Sequence, residues 1–101
     1  MKNFRTFNLA VAFYQQVVKL PLKGDARDQL TRAARSIALN LAEGKGKRTT
    51  KDQRRFYSIA MGSVRECQAL LILEHLNEGA EWELLDSLGA HLHKLMEVMR
   101  C

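Results

Sequence analysis

The sequence predicts an all-α fold, an antiparallel up-down-up-down four-helix bundle, and three observations point to it. Apolar residues recur at helical spacing in four separate segments. No alternating β-branched run bounded by turns occurs. The breaks between segments are short and carry Pro, Gly or Thr, so successive helices become antiparallel neighbours.

The first segment runs from about Phe4 to Leu20, with Phe7, Val11, Tyr14 and Val18 along one face. Pro21 in "LPLKGD" cannot continue a helix, and Gly24 marks the turn. The second runs from about Asp25 to Glu43. Leu30, Ala33, Ala34, Ile37, Ala38 and Leu41 hold its stripe, and Gly44 reads as its stop. The third starts at Thr49 or Thr50, where a Thr cap and Asp52 in the first turn suit a helix N-terminus. Its expected stripe is Phe56, Ile59, Ala60, Ser63, Cys67, Leu70 and Leu71, and it runs to about Asn77, closed by Gly79. The fourth runs from about Glu81 to Met99, with Trp82, Leu85, Leu88, Leu92, Leu95, Met96 and Met99 on one side. Small residues on the second and third helices (Ala33, Ala34, Ala38, Ala60, Gly62 and Ser63) predict a close approach there.

The bulk numbers fit this reading. A chain of 101 residues suits one domain, here residues 1–101, and 47% hydrophobic with 27% charged residues is an ordinary globular composition. No run of 18 uncharged apolar residues exists, so no membrane partner is expected. The N-terminal "MKNFRTFNLAVAF" lacks a small-residue cleavage site and reads as the first helix rather than a signal peptide. Cys67 and Cys101 form no framework, and free thiols in a reducing cytoplasm are the simple expectation.

Charge is lopsided. Residues 1–55 hold 13 Lys/Arg against 4 Asp/Glu, a net of +9, while residues 56–101 hold 3 against 7, a net of −4. Such a division suggests an anionic partner on one side or head-to-tail pairing between copies. The basic corner is Lys45, Lys47, Arg48, Lys51, Arg54 and Arg55, and Arg27 and Arg35, with Lys19 and Lys23, would extend it. Cations beside a helix N-terminus suit phosphate contacts, which position a nucleic acid without reading its sequence. No stacking aromatic is expected amid these cations. The other reading is a protein-interaction module, whose cations pair with an acidic partner or with Glu78, Glu81, Glu83 or Asp86 of a neighbouring copy.

Apolar residues also fall off the main stripes. Leu9 and Phe13 on the first helix, Leu39 on the second, and Met61, Ile72 and Leu76 on the third make a second apolar face. No helix of a four-helix bundle is central, so that face predicts packing on another copy. Arg65 and Glu66 are expected in interhelical or intersubunit ion pairs. Arg32, Ser36, Asn40, Glu43 and Gly44 are read as a structural corner, their polar groups bonded to backbone or Arg groups where the second helix meets the third.

Catalytic chemistry finds no support. His91 and His93 lie two apart on a helix and point in different directions, and no spacing matches a metal site. Ser-His-Asp order, P-loop and Rossmann fingerprints are absent. No cofactor and no enzyme activity are expected.

"RAARSIALNLAEGKGKRT", followed by "FYSIAMGSVREC", resembles the signature of the four helix bundle protein family. That family includes proteins encoded in intervening sequences of bacterial large-subunit ribosomal RNA genes, and the accessory variability determinant of diversity-generating retroelements. The similarity spans about Phe7 to Leu76, with motifs on Arg32–Ile37, Asn40–Gly44 and Ala60–Glu66. Members often carry Pro where Ala38 stands here. The resemblance implies an antiparallel bundle assembled into a ring-like homopentamer. For the retroelement branch it implies binding to RNA or DNA and to a reverse transcriptase. It also favours the nucleic-acid reading of the basic corner over the acidic-partner reading.

Overall fold

In the computed structural model, which describes residues 4–99, every described regular element is helical: α1 (Arg5–Val17), α2 (Gly24–Lys45), α3 (Thr50–Leu73) and α4 (Ala80–Val98). Helices pack α1 on α2, α2 on α3, α3 on α4 and α4 on α1, with no diagonal pair among the described residues. Short connections reverse the chain each time, giving the expected antiparallel bundle, about 40 Å long.

Each helix starts and stops for a local reason. The Asp52 N–H donates to the Thr49 hydroxyl at 3.1 Å, so Thr49 caps α3 and Asp52 sits at the positive end of its dipole. Gly24 opens α2 with φ +62°, a left-handed turn that glycine takes without a Cβ penalty. At the end of α3 the expected run to Asn77 is cut short. His75 adopts φ 60°, its N–H donates to Ile72 O at 3.1 Å, and Leu76 N–H donates to Leu71 O at 2.7 Å. This is a Schellman closure with His in the place glycine favours. Gly79, expected as the stop of α3, is instead the residue before α4.

The core is shared by all four helices. Phe13, Leu30, Ile37, Leu41, Val64, Cys67, Leu71, Leu85, Leu88 and Leu92 are fully buried. Two expected stripes are corrected. On α1 the buried line is Thr6, Ala10, Phe13 and Val17, and Phe7 and Tyr14 are only partly buried. The two lines lie roughly 100° apart around the helix, and α1 turns the second one inward because α2 and α4 both flank it. On α3, Tyr57 and Val64 are buried while Ile59 is 44% exposed.

Gly44 is no stop. Helix α2 continues through it to Lys45, and Gly44 is buried against α3. A Cβ there would lie 2.6 Å from Tyr57 Cε1 and 2.9 Å from Tyr57 Cδ1, so the missing side chain is what admits the Tyr57 ring. The reverse holds at Gly62, where a close contact was expected: beyond its own helix turn, no atom of the described residues lies within 4 Å of the position its Cβ would take.

Candidate functional site

Antiparallel packing gathers the start of α1, the end of α2, the start of α3 and the end of α4 at one end of the bundle. Lys45 ends α2, Lys47 and Arg48 lie in the connection, and Lys51 and Arg55 stand on the first turns of α3. Arg48, Lys51 and Arg55 are exposed and in no ion pair among the described residues. Lys47 Nζ pairs with Glu43 Oε2 at 3.1 Å across one turn, so Glu43 has a partner despite its unfavourable place on the dipole.

Aromatic rings lie among these cations, contrary to expectation. Lys45 Nζ sits 5.2 Å from the Phe4 ring centre. Phe56 is flanked by Lys47 Nζ at 5.1 Å and by the Arg55 guanidinium at 5.2 Å. Such distances favour cation–π attraction, which holds the long side chains over the rings. Phe56 follows Arg55 directly, so its place was visible in the sequence. Phe4 was not, because it reaches Lys45 only through the fold.

Five expected patch residues leave or stand off from the corner. Arg27 lies eighteen residues before Lys45 on one continuous helix, roughly 27 Å away. It serves the opposite end, where its Nη1 donates to Val18 O at 3.5 Å and caps α1. Lys19 and Lys23 stand at that same end. Arg35 is exposed on α2 about 15 Å from Lys45. Arg54 is half-buried in the α3–α4 groove with Met61, Arg65, His93, Met96 and Glu97, and its Nε is sealed from solvent with no hydrogen-bond partner among the described residues.

At the expected structural corner, Ser36 and Asn40 of α2 meet Ser63 of α3. Asn40 Nδ2 donates to Ser36 O at 2.9 Å and to Ser36 Oγ at 3.1 Å, and Ser63 Oγ donates to Ser36 Oγ at 2.9 Å. This chain ties α2 to α3 and fixes their register. Arg32 is exposed and joins no hydrogen bond among the described residues. Arg65 and Glu66 are exposed and form no interhelical ion pair among the described residues.

Of the residues expected at a second apolar face, Leu39 (55% exposed) and Ile72 (51%) remain open. Leu9, Met61 and Leu76 are half-buried against the core, and Leu76 N–H itself makes the closing bond of α3. Phe13 is a correction: it is fully buried within its own protomer and cannot meet another copy. Ile59 and Leu73, which the expectation did not include, are exposed instead.

Between Phe4, Lys45, the first two turns of α3 and the last turn of α4 lies a cleft of about 460 Å³. Thr50, Gln53 and Tyr57 form one wall, and Leu95, Val98 and Met99 the other. Gln53 Nε2 donates to Lys47 O at 3.1 Å and so pins the basic connection to α3. Tyr57 is 2% exposed, and burial raises its hydroxyl pKa above the ordinary value. Cys67 is far from this end, in the core, and burial, then the Glu66 carboxylate, pushes its thiol up to about 12. Cys101 lies outside the described residues. Among the described residues no three His, Cys, Asp or Glu side chains come together as metal ligands would, and no helix is long and apolar enough to cross a membrane.

Fold and site define a small all-α bundle protein with one cationic end studded with aromatic rings. The chain belongs to the family described as 23S rRNA-intervening sequence protein, whose model matches residues 4–100. No curated protein matches it.

Proposed function

We propose that this chain is a non-enzymatic, cytoplasmic homo-oligomer, a pentamer, that binds RNA or DNA through its cationic end. The observation that carries the reading is the grouping of unpaired Arg48, Lys51 and Arg55 with Lys45 and Lys47 around the N-terminus of α3. A helix N-terminus and exposed cations both favour phosphate oxygens. Assembly repeats the patch and raises avidity without new contacts. A bound nucleic acid would then be presented to a processing partner such as a reverse transcriptase. That last step rests on the family resemblance alone.

Exposed apolar residues support assembly. Leu39, Ile59, Ile72 and Leu73 are each 44% exposed or more. The Ser36–Ser63 bond sets Leu39 level with Ile59 across the α2–α3 groove. Gly62 lies one turn from Ile59 with open space before it, at a cost of about 1 kcal/mol against Ala in a helix interior. A second copy packed closely on this side would offset that cost.

Fluorescence titration of labelled RNA across a salt series tests the binding. Affinity should fall steeply with salt. Reversal of Arg48, Lys51 and Arg55 to Glu should weaken it more than about tenfold at low salt and flatten the salt slope by roughly 2–3. Binding indifferent to salt, or none at low salt, counts against the reading. The second reading, an acidic protein partner, draws on the opposite end, where Glu74, Glu78, Glu83 and Asp86 are exposed. Copies that associate head to tail, with no affinity for nucleic acid, would favour it.

A further inference from the structure

We infer that the cleft beside Lys45 takes one unpaired nucleotide of a single strand, its base between the α3 and α4 walls and its phosphate at the mouth. The inference rests on the nucleic-acid reading above and names the strand form that this end would select.

The Tyr57 hydroxyl is the first observation. The residue is 2% exposed and makes no hydrogen bond among the described residues. Among the described residues, the side-chain polar atoms both unpartnered and sealed from solvent are Thr31 Oγ1 and Arg54 Nε, and the Tyr57 oxygen is not one of them. The flank of the ring lies against Gly44, and its centre is 6.2 Å from that of Phe4. The little surface the residue keeps therefore includes its oxygen, which opens into the cleft the residue lines. The hydroxyl is both donor and acceptor, so with no protein partner it is free to bond a ligand in the cleft.

The mouth is the second observation. Lys45 Nζ is held over Phe4 at the rim. Thr50, on the same rim, begins α3, whose first N–H groups have no partner within the helix. Cation and helix terminus together favour a phosphate.

The walls decide the class of ligand. At about 460 Å³ the cleft falls within the size range of small-molecule sites, roughly 300–1,000 Å³. An acyl chain would satisfy Leu95 and Val98 but leave the Tyr57 hydroxyl and the Gln53 carbonyl oxygen unmet. A nucleobase has a flat face for the apolar wall and polar edges for those groups. Bases in a duplex are stacked and paired, and extruding one means breaking both interactions. The cleft thus discriminates by strand form, which surface phosphate contacts do not.

Three measurements on the full chain test it: affinity for a labelled oligoadenylate, affinity for a duplex of equal length at the same ionic strength, and methyl NMR during titration with adenosine monophosphate. The expected result is tighter binding of the single strand. Tyr57→Phe, which keeps the ring and its packing, should weaken single-strand binding about 5-fold and leave the duplex unchanged. Adenosine monophosphate should shift the Leu95 and Val98 methyl signals. Equal affinity for both strand forms overturns the cleft assignment while the phosphate surface stands, and so does a single-strand preference that Tyr57→Phe does not touch. If neither form binds, the phosphate surface falls, and the mononucleotide decides alone: shifted cleft methyls keep the assignment, unmoved ones overturn it.

Discussion

Single atoms decide several features of this bundle. The missing Cβ of Gly44 is one, since Tyr57 occupies its place. Gly44→Ala should lower stability by about 1–3 kcal/mol, as overpacked core positions do, although alanine is the better helix former. Urea denaturation of the variant checks this, and an unchanged midpoint would mean that Tyr57 simply moves aside. Cys67 is another. It is fully buried, and its thiol is pushed up to about 12 from 9.0, first by burial and second by Glu66. The unfolded chain releases this proton near pH 9.0 while the folded one holds it to about 12. Above about pH 9 the folded state therefore binds more protons, and stability falls as pH rises through that window. Tyr57, also raised by burial, adds in the same direction. In a Cys101→Ser background a thiol reagent should leave Cys67 unmodified in native buffer and label it only on unfolding. Rapid native labelling would show that the core opens far more readily than its burial implies.

At the scale of elements, the four helices were legible because their apolar periods are long and their ends carry ordinary signals. Thr49 with Asp52 is an N-terminus that sequence chemistry specifies, and it forms as expected. What periodicity could not choose was the inward face of α1. The Phe7–Val11–Tyr14–Val18 line is the more apolar in composition, but Thr6, Ala10, Phe13 and Val17 are the residues buried. Periodicity reports that a stripe exists; the flanking helices select which stripe. The end of α3 was missed for a related reason. A His at φ 60° gives no sequence signal, since glycine is the usual occupant of a left-handed closure. His75→Gly should thus stabilise the protein by about 1 kcal/mol, the penalty that an L side chain bears there. A thermal melt reads this as a rise of several degrees. A fall would mean that the imidazole contributes a contact outweighing the backbone strain.

For the molecule as a whole, part of the cationic end could be read directly and part could not. Clustering in sequence identified Lys45 through Arg55, because the α2–α3 connection is only four residues long. Arg27 was misplaced because a helix of 22 residues carries its first turn to the far end. The cleft was invisible, since Phe4, Tyr57 and Val98 meet only when all four helices close. The same distinction between residues a protomer uses itself and residues it leaves open yields the test of assembly. Phe13 is enclosed, so Phe13→Ala should cost about 3–5 kcal/mol of protomer stability whatever the oligomer does. Leu39 and Ile72 are more than half exposed, so a Leu39→Glu, Ile72→Glu double variant should keep its helical content and lose native mass. If nucleic-acid affinity rests on repeated patches, the same variant should bind RNA far more weakly with every cation intact, because avidity disappears when the copies separate. Native mass spectrometry and the salt titration read the two effects separately. An unchanged mass would place the contact between copies elsewhere, and a monomer that binds as tightly as the wild type would show that a single cationic end is sufficient.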